Sequence, residues 1–448
     1  MAPSPFPGDP DPSAALPRVV GIPGAILLGL GSILGTGVFL SLGLAAGAAG
    51  VWVVPATLAA ALLALCNGLS SAQLAAAHPV SGGTYEYGHR WLGPDAGFVA
   101  GWMFLWAKSA SAATAALGFG GYLLTPVGIS TPTTRIGVGL VLVLALTAVV
   151  AAGLRRSHTV NAVLVAITVL GLTAFVIAGI PSLGALREAF VDPTAAGSGP
   201  PPGLPGILEG TALLFVAYTG YGRIATLGEE VRNPARSIPL GIVWTLALTA
   251  ALYLSVTAVA VAAVGAGGLA EATRNAAAPL EVVAATFRQP GLTSLVGIAA
   301  LTAMAGVLLN LLLGLSRVLL AMARRDDMPR PLARIRPADG TRPASPATAV
   351  WTMGAWVAAL VCLGDIGLTW SFSAFTVLVY YALTNLAALR LAPEDRQFSP
   401  WVSALGLVGC LGLAFWVEAT AWAAGSILLV GGLAGRRLLR RRGDGRRP

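Results

Sequence analysis

The sequence predicts an all-α polytopic membrane protein with twelve transmembrane helices, and three observations carry the prediction. Hydrophobic residues make up 56% of the 448 and charged residues 10%, with a mean hydropathy of +0.78. That balance leaves too little polar surface to cover a core in water. Apolar windows of about 20 residues recur along the chain, each long enough at about 1.5 Å per residue to cross a hydrocarbon layer. Finally, the basic residues gather in every second connection between those windows, as topology requires of a membrane chain.

Residues 1–17, rich in Pro, Asp and Ser, lack the basic-then-apolar layout of a cleavable signal and read as a disordered tail. Twelve spans follow, at 19–44, 52–77, 97–124, 135–153, 159–180, 206–228, 239–265, 292–322, 345–363, 367–391, 399–417 and 419–435. An even count puts both termini on one side. Of the basic residues in connections and tails, only Arg135, Arg187, Arg274 and Arg288 then fall on the other side, so both termini are expected in the cytoplasm and the protein in the plasma membrane. The net charge of +9 is this topology signal and not a nucleic-acid surface. On the outer side, the connection 181–205 is dense in Pro and Gly, and the apolar stretch Ala276–Phe287, too short to span, is expected to lie over an outer vestibule. The inner connection 324–342 reads as a solvated loop, and 436–448 as a basic cytoplasmic tail.

Two spans contain their own interruption. The first carries Gly29, Gly31, Gly35 and Gly37 within nine residues, and each glycine costs a helix about 1 kcal/mol relative to alanine. Gly29 fits close helix packing equally well, whereas Gly35-Thr36-Gly37 in mid-span predicts a break that frees backbone groups. The sixth span repeats the pattern in Ala217-Tyr218-Thr219-Gly220-Tyr221-Gly222. Interruptions five spans apart predict two inverted five-helix repeats, 18–180 and 206–391, with helices 11 and 12 (392–435) outside them and a ligand site between the breaks. Half-helix N-termini offer N–H groups to an anion and freed carbonyls attract a cation, so a zwitterionic α-amino acid suits the site.

Four motifs carry a resemblance. Gly31-Ser-Ile-Leu-Gly-Thr-Gly-Val-Phe39, Pro79-Val-Ser-Gly-Gly-Thr-Tyr-Glu-Tyr87 with Gly101-Trp102, Glu229-Glu-Val-Arg-Asn-Pro-Ala-Arg-Ser-Ile-Pro239, and Ser316-Arg317 with Ala321-Met-Ala-Arg324 stand in the order and on the side expected. Over nearly its whole length the chain resembles the amino acid–polyamine–organocation superfamily, in its amino acid permease branch. The resemblance implies a substrate carboxylate held by amides around Gly35, Thr36 and Gly37, and an ammonium held by carbonyls of Ile33, Val216, Ala217 and Thr219. It also implies that Tyr218 and Tyr221 are candidates for a thin gate, with an aromatic packed in a helix interface the competing reading of each. Where several relatives carry an acid on helix six this chain has Gly222, which points away from basic substrates and toward neutral α-amino acids. Thr168 stands where proton-coupled relatives have a lysine, and Ala305 and Gly306 fall where distant cousins bring hydroxyls to sodium.

Lys108, the only lysine, lies in mid-span with no acid in the same span. A lone ammonium in hydrocarbon costs several kcal/mol and must face a cavity or a partner, and the resemblance places it at the side-chain pocket. It can be a counter-charge for an acidic substrate, a proton carrier, or a structural tie, and the sequence does not separate these. Arg223 is expected to pair with Glu229, Glu230 or Asp95 as an inner gate or clamp. Cys66, Cys362 and Cys410 sit in apolar runs, and His78, His89 and His158 lack metal-ligand spacing, so no metal or other cofactor is expected. A phosphate-binding GxxxxGK[ST] loop is absent. The expected partners are an amino acid and the lipid bilayer, with protons left as an open candidate for coupling, and not nucleic acid. Transport by alternating access, a non-transporting amino acid sensor and an acidic amino acid permease using Lys108 all remain open, whereas an enzyme lacks the intramembrane carboxylates or nucleophile it needs.

Overall fold

A computed structural model describes residues 20–79, 82–153, 158–191, 202–225, 231–336 and 345–444. Helix α1 (Ile22–Ile33) opens with a proline in its first turn, where a missing N–H costs nothing. It ends at Leu34, whose ψ of 101° is extended. The chain resumes as a π-helical stretch, Gly37–Ser41, and then α2 (Leu42–Ala49). Gly50, at φ 55°, turns it into α3 (Val53–Ala77). The short α4 (Thr84–Trp91) precedes α5 (Pro94–Leu124), and a Thr131–Thr134 capping box starts α6 (Pro132–Ala151). Helices α7 (His158–Gly179) and α8 (Gly184–Val191) follow, the latter inside the expected outer loop.

The second half opens with α9 (Leu204–Tyr218), which gives way to a 3-10 turn at Thr219–Tyr221 and a single turn, α10 (Gly222–Ala225). Helix α11 (Pro234–Ala276) is interrupted at Gly265, whose φ of 71° and ψ of 164° no α-helix accommodates. The eight-residue α12 (Pro279–Thr286) falls within the Ala276–Phe287 stretch. Then come α13 (Leu292–Arg324), α14 (Ala347–Val361), α15 (Ile366–Leu389), α16 (Pro400–Ala414) and α17 (Ala419–Asp444).

Six helical runs among the described residues are long and apolar enough to cross a membrane, and α16 with α17, bent by 114°, makes a seventh if counted as one span. The chain is a multi-pass membrane protein. The count falls below twelve partly because Ile22–Ala77 is counted as one run although it holds both the Leu34 break and the Gly50 turn. In the centre, α5 packs against α13 and α15, while α3 packs against α9 and α11. Alanine, glycine and serine dominate the buried positions of α5, which lets neighbouring backbones approach without the bulk of long side chains.

Three expectations need correction on the face that carries the α3–α4 connection. The basic segment expected as a tail from Arg436 is instead the end of α17, which continues to Asp444, and Arg436 is buried. The expected solvated loop after α13 contains Asp327, also buried, which accepts from Arg436 Nε at 2.7 Å and Tyr85 OH at 2.9 Å. Asp95 pairs with Arg436 and Arg437, so it is engaged by α17 and is not the Arg223 partner the sequence suggested. Glu229 and Glu230 lie outside the described residues.

Candidate functional site

The break in the first span is narrower than its glycines suggest. Gly29 and Gly31 remain helical, and added β-carbons there would meet Thr245 and Asn161 at 2.7 and 2.2 Å, so both serve close packing. Only Leu34 and Gly35 leave the helix. By helix geometry the first N–H groups of a segment restarting there have no acceptor within their own helix. In the second half, Thr219, Gly220 and Tyr221 form the 3-10 turn that interrupts the run, the N–H of Thr219 reaching back to the carbonyl of Val216.

These two interruptions meet. A β-carbon on Gly37 would stand 2.6 Å from that of Ala217, and one on Gly220 would stand 2.3 Å from the Ser32 carbonyl oxygen. Gly35 faces α13, where its β-carbon would meet Val307 at 2.4 Å. Glycine is therefore required by backbone approach at Gly37 and Gly220 and by the Val307 side chain at Gly35, and the space that a side chain at Gly37 would take belongs to α9, not to an open carboxylate subsite. Thr36 lies between them, its hydroxyl buried without a hydrogen-bond partner among the described residues.

Side chains from other helices hold the interrupted segments by their carbonyls. Tyr253 OH donates to Ile33 at 2.9 Å, Asn310 to Gly31 at 3.3 Å and Asn161 to Leu27 at 3.0 Å. Tyr381 OH donates to the Thr219 carbonyl at 3.1 Å, and the Thr219 hydroxyl donates to Val216 at 2.8 Å. Three of the four carbonyls expected to face a ligand ammonium thus already accept from the protein: Ile33 and Thr219 from one side chain each, and Val216 from both the N–H and the hydroxyl of Thr219, which occupies both of its lone pairs.

Lys108 reaches this place directly. Its Nζ donates to Thr219 Oγ1 at 2.9 Å, and no ion pair joins it to a carboxylate among the described residues. The bond links α5 to the second interruption and continues through Thr219 to Val216. Tyr218 and Tyr221 are both fully buried. Tyr218 is pinned, its hydroxyl donating to Thr57 on α3 at 3.3 Å and its ring 5.1 Å from that of Tyr253. Tyr221 packs 5.5 Å from Tyr381, whose hydroxyl lies 3.2 Å from the point a β-carbon at Gly222 would occupy. Arg223 is the second residue of α10, just after the break. Thr168 turns its hydroxyl back to Leu164 in its own helix at 2.8 Å. No group of three or more His, Cys, Asp or Glu among the described residues is placed to hold a metal.

Sequence reading missed Tyr253, Tyr381, Asn161 and Asn310. The signal was a polar group isolated in an apolar run, clearest for Asn310 between leucines, since such a group in hydrocarbon needs a partner.

Comparison with known proteins agrees with this architecture. A family model described as amino acid permease matches residues 24–434. The chain is 41% identical over 430 residues to an uncharacterized transporter of Mycobacterium tuberculosis (strain ATCC 25618 / H37Rv), covering 95% of this chain and 93% of the relative. It is 27% identical over 422 residues to a branched-chain amino acid permease of Bacillus subtilis (strain 168), covering 89% and 87%. It is 26% identical over 438 residues to a methylthioribose transporter of the same organism, covering 92% and 90%. The family and these relatives are transporters and not enzymes. With its two interrupted helices and a match along almost its full length, the chain belongs to the amino acid permease family.

Proposed function

We propose that this protein is a secondary transporter or exchanger that carries neutral α-amino acids across the plasma membrane by alternating access, with both termini in the cytoplasm. The observation that carries the reading is the meeting of the two interruptions, Gly37 against Ala217 and Gly220 against Ser32. It gathers the backbone of two broken spans around Thr36 and Thr219. The substrate carboxylate is assigned to the N–H groups of Gly35, Thr36 and Gly37, and the ammonium to the carbonyls of Ile33, Val216, Ala217 and Thr219, with Val216 free to accept once the Thr219 hydroxyl turns to the ligand. Two inverted repeats within a twelve-span chain, 18–180 and 206–391, supply the rocking elements.

Three features support a neutral substrate. Gly222 offers no carboxylate to a basic side chain, the neighbours of the breaks include Val307, Val216 and Ala217, and a relative of 27% identity is named for branched-chain amino acids. Lys108 acts as a positioning residue that holds Thr219 and presents one fixed positive charge. An acidic substrate is the second reading, favoured by the absence of a carboxylate partner for Lys108 among the described residues. Counterflow of radiolabelled amino acids in proteoliposomes tests both. Leucine, valine or alanine is expected to exchange, whereas preferential exchange of glutamate or aspartate would select the second reading. Saturable binding without flux would identify a sensor on the same scaffold.

A further inference from the structure

A buried carboxylate stands outside the site just described. Helix α12 packs between α11 and α13 and touches the π-helical stretch that follows the first break. Its buried face holds Pro279, Leu280, Glu281, Val283 and Ala284. Glu281 is 4% exposed, and its Oε2 has no hydrogen-bond partner among the described residues. Its Oε1 lies 3.2 Å from the point a β-carbon at Gly297 would occupy, so the absence of a side chain on α13 makes room for the carboxyl.

Among the described residues no basic group forms an ion pair with it. Glu271 and Arg274 at the end of α11 are exposed, as is Arg288 beyond α12, and the π-helical stretch contributes no titratable group. On α13 the basic residues Arg317 and Arg324 are about 30 Å or more along the helix from Gly297. Tyr122 of α5 is a titratable group in electrostatic reach of it, and it carries no positive charge. An ionised carboxylate here has neither a counter-charge nor a full set of donors, which favours the protonated form.

The neighbouring backbone connects this carboxyl to the first broken span. Leu280 N–H donates to Tyr122 OH at 3.2 Å, and Tyr122 OH donates to the Phe39 carbonyl at 3.0 Å. The Phe39 and Tyr122 rings meet edge to face at 5.7 Å. One residue before Tyr122, a β-carbon at Gly121 would stand 2.6 Å from the Ala277 carbonyl oxygen, so the chain entering α12 lies directly on α5.

We propose that Glu281 is a proton-binding site whose occupancy seats α12 on the segment following the first helix break. With the proton bound, the neutral carboxyl stays buried and the Leu280–Tyr122–Phe39 chain is intact. When the proton leaves, the carboxylate is drawn toward water, lifts α12 and frees Phe39 from its anchor. The consequence for flux rests on the transport reading above, in which α12 lies on the outer side and the protonated state is the active one.

Burial pushes the Glu281 carboxyl up to about 7. The native state therefore holds a proton that the unfolded chain, at the ordinary value of 4.5, has released, and stability is lost as pH rises between those values. Thermal unfolding of the purified full chain across pH 5 to 8 reads this without any substrate. The melting temperature of the wild type is expected to fall over that interval relative to Glu281→Gln, which fixes the neutral form. Parallel melting profiles would overturn the proposal. If Glu281→Gln does not fold, Glu281→Leu, equally unable to titrate, takes its place. In proteoliposomes, wild-type uptake is expected to drop about tenfold between pH 6 and 8, following the protonated fraction of a group near 7, and the variant to stay flat. A variant that keeps the tenfold drop also overturns the proposal. Absence of wild-type flux at every pH would instead remove the transport reading, and the melting profiles would still decide Glu281.

Discussion

Gly37 and Ala217 approach so closely that a β-carbon on the glycine would sit 2.6 Å from that of the alanine. The two residues belong to different interrupted spans, one in the π-helical stretch after Leu34 and the other in the last turn of α9. Their contact fixes the distance between the two breaks.

Gly37→Leu is accordingly expected to abolish uptake, because four added carbons have no space against Ala217. Overpacking typically costs about 1–3 kcal/mol and displaces backbone, which here moves the N–H groups of the break. Gly37→Ala should retain a fraction of the rate. Surface expression and counterflow measured together check this: normal flux in a well-expressed Gly37→Leu variant would contradict the assignment of the site.

The break itself was legible because glycine leaves a local mark, whereas its supports were not. Gly35 announces a weak point in any apolar run, but the sequence alone does not say that Gly29 and Gly31, with the same composition, face Thr245 and Asn161 and stay helical. Tyr253 and Ile33 are joined across 220 positions, and Tyr381 and Thr219 across 162. Pairings of that range depend on how helices pack and leave no periodic trace. Charge misled in a different way. Arg436 fits the positive-inside pattern so well that its burial against Asp327 was hidden behind a sufficient explanation.

Tyr253→Phe tests the support of the first break. The hydroxyl donates to Ile33 in a buried setting, and losing one such bond costs about 0.5–1.5 kcal/mol. Because the lost bond aims a carbonyl assigned to the ligand ammonium, the effect should appear chiefly as a higher KM, several-fold, with little change in the melting temperature. A thermal-shift titration with the transported amino acid measures both. Unchanged affinity would show that Ile33 does not face the ligand.

Lys108→Ala removes the donor to Thr219. If the lysine positions that residue, uptake of neutral amino acids should fall about tenfold, the equivalent of about 1.4 kcal/mol, while the pH profile keeps its shape. Loss of glutamate and aspartate uptake alone would identify a counter-charge for an acidic substrate. A flattened pH profile would identify the lysine as the proton carrier. Uptake from pH 5.5 to 8 with one neutral and one acidic substrate separates the three.

The Asp327–Arg436 pair makes the last prediction, and its pH dependence runs opposite to that of Glu281. Burial raises the Asp327 carboxyl, but contacts from His89, Arg436 and Tyr85 outweigh it and hold the group below the ordinary 3.8. A depressed acid adds stability that is fully present above its unfolded value and is lost as pH falls through the folded one. The contribution is therefore constant from neutral pH down to about 4 and disappears only in stronger acid. Arg436→Ala leaves the buried Asp327 without its main counter-charge, and breaking a buried pair by removing one partner costs about 3–5 kcal/mol. Asp95, half-exposed and also met by the exposed Arg437, should matter far less, with Asp95→Ala costing about 1 kcal/mol or less. Asp327→Ala combined with Arg436→Ala should be less damaging than the sum of the two, since neither charge is then stranded. Melting temperatures of the four variants at pH 7 measure the coupling, and additive losses would show that α17 is not clamped through this pair.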